Sequence, residues 1–427
     1  IFLRGEPDDY DSWAAMGNDE WDFQSCLPYF AKLENDLDFS GDFHGNSGPV
    51  QCKRHPRDRW QQNQEAFYQG CVDLGFHEVL DHNDPDSTGI GPIPFNTVDG
   101  IRQSTWLTYL RPNMDRPNLS ISPDTLVRSL NFENSRAIGI TVEKDGNIET
   151  ISGNEIILSA GAISTPQLLL LSGIGDKADL DKLGIQTVKN LPGVGKNLRD
   201  HPLISVVWKK SDVHEIDSSL TGLQVALRYT ASNSDLRNDM YIHPVSTSNP
   251  RASYGDNNRW IFAYEDFNNH LGMTVSLYLA KSQGSLTLRS KDPKIQPYLN
   301  YNLLEDEEDL RRVREAVELC ISIGEGPTYK GITSERVKPP ENALSCKESL
   351  DRWLKETVRT SHHVSGTCKM GPESEAMAVV NQHGKVHGIE GLRIADASIM
   401  PDCIRANTNV ATMMIGEKIS DLVKNQS

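Results

Sequence analysis

The hydrophobic positions of this chain change period several times, and each change marks an element. The opening, through Tyr10, Trp13, Trp21 and Tyr29-Phe30, is aromatic-studded and reads as helix-rich. Between 60 and 75, Phe67, Cys71 and Leu74 fall at helical spacing, and Gly75 closes the segment as a helix end does. Residues 81–94 are dense in Asp, Pro and Gly, which predicts a loop and puts His82 and Asn83 in a solvated position. Three β-type runs at 124–132, 137–144 and 149–152, with Asp145-Gly146 between the last two, predict a small antiparallel meander.

The apolar run 155–162 ends in small residues, as a buried parallel strand does where a cofactor crosses its carboxyl end. A helix is expected next, with Thr165 as N-cap and Pro166 in the first turn, stopping at 172–175. Glycines 193 and 195 then permit a tight turn, and Asp200-His201-Pro202 redirects the chain, with His201 as a structural residue. From 203 to 360 the texture becomes strands (203–208, 240–244, 260–264, 273–280, 285–288) followed by charged helices at 305–322 and 347–358. That pattern predicts an antiparallel sheet backed by helices, on which Tyr241, His243, Phe262 and Tyr278 read as core rather than pocket lining. A last strand at 392–395 and a helix at 410–423, with Asn409 at its start, complete an α/β (α+β) chain.

Charge and composition narrow the function. With 43 Lys and Arg against 59 Asp and Glu, the 427-residue chain carries a formal charge of −16 and would repel a nucleic-acid backbone. Its longest strongly apolar run, 168–171, is far short of the roughly 20 residues that cross a bilayer. Seven cysteines are scattered without C-x-x-C spacing, so no metal site is expected, and reduced thiols in a cytoplasmic protein are the plain reading.

The chemistry-bearing residues gather near the end. Ser361-His362-His363-Val364-Ser365-Gly366-Thr367 is followed by Ala395-Asp396-Ala397-Ser398 and by Ala406-Asn407-Thr408-Asn409-Val410, polar groups set beside small residues that let a flat ligand approach the backbone. Together with Gly161 to Gly175 and Leu191 to Pro202, these stretches resemble the glucose-methanol-choline (GMC) family of FAD-dependent oxidoreductases, over nearly the whole chain. The resemblance implies an FAD-binding fold: a discontinuous Rossmann-like domain (1–48, 99–202 and 361–427) and an antiparallel-sheet substrate domain (49–98 and 203–360). It implies His363 and Asn407 as catalytic residues. It also implies cofactor contacts at Val127, Ala160, Gly161, Asp396, Ala397, Asn409 and Val410, and His362 in the substrate pocket. The G-x-G-x-x-G turn that such a protein needs is absent from the sequence, and a complementary N-terminal chain is expected to carry it.

Oxidising an alcohol removes a hydroxyl proton and a hydride, so a base must stand near the hydroxyl and an electron sink near the carbon. Histidine suits the base role near neutral pH, and an amide can hold the hydroxyl without changing charge. The expectation is therefore FAD-dependent oxidation of a primary alcohol to an aldehyde, by hydride transfer to flavin N5 with His363 as base. Choline is not singled out, because its oxidisers typically carry Tyr where this chain has His362. Fatty acid photodecarboxylation, hydroxynitrile lysis and a non-catalytic remnant are the alternatives of the same fold.

Overall fold

The computed structural model describes residues 1–217, 219–246 and 269–425. The expected strand at 260–264, and Phe262 with it, lies outside them. Two large buried clusters divide most of the core. The first joins the N-terminal helices, the meander, the parallel strands and the C-terminal helix. The second fills the space between the main antiparallel sheet and the helices Gln62–Asp73, Glu307–Gly324 and Lys347–Thr357.

The main sheet runs in the spatial order Thr333–Lys338, Pro202–Lys210, His270–Leu277, Met240–Val245, Val225–Tyr229 and Gly89–Pro92. Every pairing along that path is antiparallel, and Arg359–Thr360 adds a short rung beside Pro202–Lys210. Helix Glu307–Gly324 is started by Asp306, whose carboxylate accepts from the Glu308 amide at 2.8 Å, with three acidic residues in the first turn opposing the helix dipole. It comes close to the sheet at its last residue, where a Cβ on Gly324 would stand 2.4 Å from the Trp208 ring.

Several expectations are corrected here. The Asp/Pro/Gly-rich stretch contains the edge strand Gly89–Pro92, and His82 and Asn83 are buried rather than solvated. His82 Nε2 meets the Ala226 carbonyl at 3.0 Å, and Asn83 Nδ2 donates to the Phe2 carbonyl at 2.9 Å. Strand Ser285–Thr287 leaves the main sheet and pairs instead with Tyr298–Asn300. The run at 155–162 shortens to Ile156–Leu158, paired in parallel with Leu392–Ile394.

The helix after it begins at Gly161, not Thr165, so Pro166 lies inside it. Proline lacks the amide that would bond the Ala162 carbonyl. The Thr367 hydroxyl takes that place, donating to Ala162 O at 2.6 Å. Likewise the C-terminal helix is Thr408–Asn425, two residues earlier than expected, so Asn409 sits within its first turn.

The loop leading to that helix is anchored from the N-terminus. Asp9, fully buried, accepts from Arg405 Nε at 2.7 Å and from the Arg405 amide at 2.8 Å. An Arg405→Met variant would leave that carboxylate buried without its cation. Its stability should fall by about 3–5 kcal/mol, read as a lower urea midpoint; a midpoint within error of the parent would show that the pair does not hold the loop.

Candidate active site

Three separated stretches interlock to build the site. Residues 199 and 365 exchange backbone hydrogen bonds, each 2.9 Å. Gly366, at φ +78°, lies so close to Asn197 that a Cβ would fall 2.7 Å from its carbonyl oxygen. The Gly366 amide donates to the Ala397 carbonyl at 3.0 Å, and Asn197 Nδ2 reaches the Pro401 carbonyl at 3.0 Å.

Asp200 sits at the centre. Its Oδ1 accepts from the His201 amide at 2.8 Å and the His363 amide at 3.0 Å, and its Oδ2 accepts from the Thr360 hydroxyl. Burial raises its pKa to about 6, while these donors oppose the rise.

The two backbones so fixed bring their imidazoles together, with Nδ1 of His201 2.9 Å from Nδ1 of His363. On the far side of the ring, His363 Nε2 stands 2.8 Å from Asn407 Nδ2. The expected catalytic pair is therefore in direct contact, and a third residue, His201, belongs with it. Burial, with His362 nearby, pushes His363 down to about pKa 3; burial and His363 push His201 well below its ordinary value. Both rings are neutral at pH 7.

An aromatic series continues from His201 into the sheet. Tyr278 lies 4.6 Å from the His201 ring, Tyr241 stacks on Tyr278 at 5.5 Å, and His243 meets Tyr241 edge-on at 5.5 Å. Tyr241 and Tyr278 are core, as expected, yet the Tyr241 hydroxyl and His243 Nδ1 are buried with no hydrogen-bond partner among the described residues.

His362 is not in an extended conformation. Its φ is +62°, a left-handed conformation unusual for a residue with a Cβ, and its amide donates to the Thr360 hydroxyl at 2.9 Å. That twist leaves His362 exposed while the next residue turns inward.

The remaining expected contacts spread over three elements. Val127 is half-buried in strand Leu126–Glu133, paired with Val142. Ala160 is exposed and Gly161 half-buried at the carboxyl end of strand Ile156–Leu158. Asp396 is buried, and its oxygens are already engaged: Oδ2 accepts from the Gly161 amide at 2.9 Å and the Thr165 hydroxyl at 2.6 Å, Oδ1 from the Ser398 amide at 2.8 Å. Ala397 is buried in the turn Ala397–Ile399, against which both helices Gly161–Leu171 and Thr408–Asn425 pack. Asn409 is exposed at the start of the latter helix, and Val410 is buried behind it.

These residues fit a flavin dinucleotide. Gly161 has φ +83° and open space where a side chain would stand, so a ligand can lie against its backbone. Asn407 Oδ1 is buried with no hydrogen-bond partner among the described residues, and the first amides of an 18-residue helix follow it. A groove of about 460 Å³ elsewhere, lined by Arg314, Ile321, Cys346 and Leu350, holds none of these residues.

The chain belongs to the GMC oxidoreductase family, matching its N-terminal part over residues 1–203 and its C-terminal part over 280–416. It is an FAD-dependent oxidoreductase of that family. It is 34% identical over 450 residues to the oxygen-dependent choline dehydrogenase of Staphylococcus saprophyticus, covering 99% of this chain and 78% of the relative. The enzyme of the same description from Staphylococcus aureus strain JH9 is also 34% identical, over 99% of this chain and 77% of its own length.

Among solved structures, pyridoxine 4-oxidase from Mesorbium loti superposes with a TM-score of 0.88 at 23% identity, over 99% of this chain and 82% of that one. A fungal aryl-alcohol oxidase gives 0.83 at 20% identity, over 100% and 84%. The relatives align along nearly all of this chain as single polypeptides, which lends no support to a separate complementary chain. Among the described residues no helix is long and apolar enough to cross a membrane.

Sequence reasoning missed the parts played by Asp200 and His201. The one signal available was their adjacency in an Asp-His-Pro turn, and their partners lie some 160 positions downstream.

The neutral histidines set a sign for pH dependence. A pKa below the unfolded value of about 6.5 means that the unfolded chain binds more protons as pH falls. Stability from His363 and His201 is present above 6.5 and is lost progressively below it; His82 (about 3) and His243 (about 4) act the same way. The unfolding temperature should drop between pH 6.5 and 4 by less in His363→Gln than in the parent. Equal drops would remove His363 from the account.

Proposed function

We propose that this protein oxidises a primary alcohol to an aldehyde, with His363 as base and Asn407 as the group that holds the hydroxyl. The observation that carries the reading is the 2.8 Å contact between His363 Nε2 and Asn407 Nδ2. A hydroxyl oxygen placed against both can give its proton to the imidazole and accept from the amide. FAD, when bound, would supply the electron sink for the hydride that leaves the carbon.

Burial keeps His363 neutral, so a lone pair is present at Nε2 before substrate arrives. Asn407 is fixed through the loop that Asp9 anchors, and His363 through Asp200, so the two groups reach the substrate already oriented. As the proton passes to Nε2, the amide donates to the developing alkoxide, and the bond to carbon weakens toward loss of hydride. The product is the aldehyde, with the proton left on His363.

Cofactor contacts at Val127, Ala160, Gly161, Ala397, Asn409 and Val410 belong to this reading, with Asp396 acting by shaping the Gly161 turn. His362 belongs to the substrate side, supported by its exposure beside His363. The two-domain division at 48, 98, 202 and 360 is supported by the second buried cluster, whose members all fall within 49–98 and 203–360, while the first also takes in Val50, Ile93 and Tyr241 from those ranges. A cytoplasmic setting is supported by seven free thiols, six of them buried. Choline, the substrate in the relatives' names, is one candidate among primary alcohols.

Replacing His363 by Ala should leave FAD bound while anaerobic flavin reduction by alcohol slows about 10²–10⁴-fold, the usual share of a general base. Reduction at the parent rate would end the assignment.

A further inference from the structure

We propose that His201 is a positioning residue that holds His363 as its Nδ1–H tautomer, keeping the Nε2 lone pair an acceptor, for the Asn407 amide in this structure and for the hydroxyl once substrate binds. This inference rests on the reading of His363 as the base.

Two neutral imidazoles that face each other through Nδ1 at 2.9 Å must share one hydrogen between them. If it belongs to His201, then His363 carries its proton on Nε2 and has no lone pair for the hydroxyl. If it belongs to His363, then Nε2 is free to accept.

Two observations choose the second arrangement. His201 Nδ1 is taken up by His363, and the backbone of Ile404 favours a proton on the His201 ring, as a nearby carbonyl acceptor does, although Nε2 makes no standard hydrogen bond among the described residues. His201 therefore carries hydrogen on Nε2 and a lone pair on Nδ1. At the opposite end, the Asn407 amide nitrogen points at His363 Nε2 and can only donate to it. The two printed contacts of the His363 ring, from Asn407 to Nε2 and from Nδ1 to His201, then each join one donor to one acceptor.

The arrangement differs from a carboxylate-histidine pair. Asp200 is adjacent, but it binds the backbone amides of residues 201 and 363 and the Thr360 hydroxyl, and neither ring. The group that orients the base is a neutral imidazole, packed at a tilt of 56° against Tyr278. When His363 takes the substrate proton, its Nδ1–H still donates to the His201 lone pair, and no second proton transfer is needed. The geometry thus favours the imidazolium as it forms.

The test compares two replacements in the FAD-loaded protein. In His201→Asn the amide oxygen can stand where Nδ1 stood and accept from His363; in His201→Phe the ring volume is kept and the acceptor is lost. The Phe variant should lower the limiting rate of flavin reduction by about 10- to 100-fold, part of what a general base supplies, with the alcohol's dissociation constant little changed. The Asn variant should restore most of the rate. A Phe variant as fast as the parent would overturn the proposal.

Imidazole ¹⁵N–¹H correlation spectra of the parent, with the His363 signal identified by its loss in His363→Ala, read the tautomer without reference to turnover. Hydrogen on Nδ1 of His363 is expected. Hydrogen on Nε2 would overturn the inference whatever the variants do, whereas failure of the base assignment shows itself in the His363→Ala rate alone.

Discussion

One buried carboxylate holds the candidate site together. Asp200 accepts the backbone amides of residues 201 and 363, from two stretches separated in sequence by every strand of the main sheet except Gly89–Pro92. Among the described residues no Lys or Arg pairs with it: neighbouring Arg199 turns away to Asp402 at 2.7 Å and to the Ala280 carbonyl at 2.5 Å. Amide and hydroxyl donors alone offset its desolvation, which is why burial still lifts its pKa to about 6. Because the bonds are to backbone, they fix where both rings begin rather than how they are charged. The ring geometry follows from that constraint.

The same logic explains why the other motifs are spelled as they are. Pro166 orphans the Ala162 carbonyl, and Thr367, four residues after His363, supplies the missing donor. Asp396 ties the Gly161 turn and Thr165 to the Ala397–Ile399 turn on which the C-terminal helix packs. Asn197 bonds both the Gly366 and Pro401 carbonyls. Each motif thus satisfies a polar group that another leaves open. This leaves little freedom at the edge where a flavin would lie, and pre-oriented groups are what proton and hydride removal requires.

Much of this was legible in the residues. The Asp145-Gly146 hairpin and the helices at 62–73 and 307–324 follow from turn chemistry and periodicity, and the expectation that His363 and Asn407 meet came from the resemblance to the family. The edge strand Gly89–Pro92 did not show, because Gly and Pro argue locally for a loop and only its partner Val225–Tyr229 makes it a strand. The early helix start at Gly161 was hidden too, since its stabilising groups, Asp396 and Thr367, lie more than 200 residues away. His201 read as structural because a single histidine says nothing of what faces it, and the left-handed turn at His362 that sends His363 inward has no local signature.

The claim on which this account turns is that one oxygen is shared by an imidazole and an amide. The most direct measurement is a crystal structure with FAD and an unreactive alcohol analogue bound. The account predicts the hydroxyl oxygen within about 3.2 Å of both His363 Nε2 and the Asn407 amide, with the adjacent carbon facing flavin N5. An ordered analogue whose hydroxyl touches neither residue would contradict it.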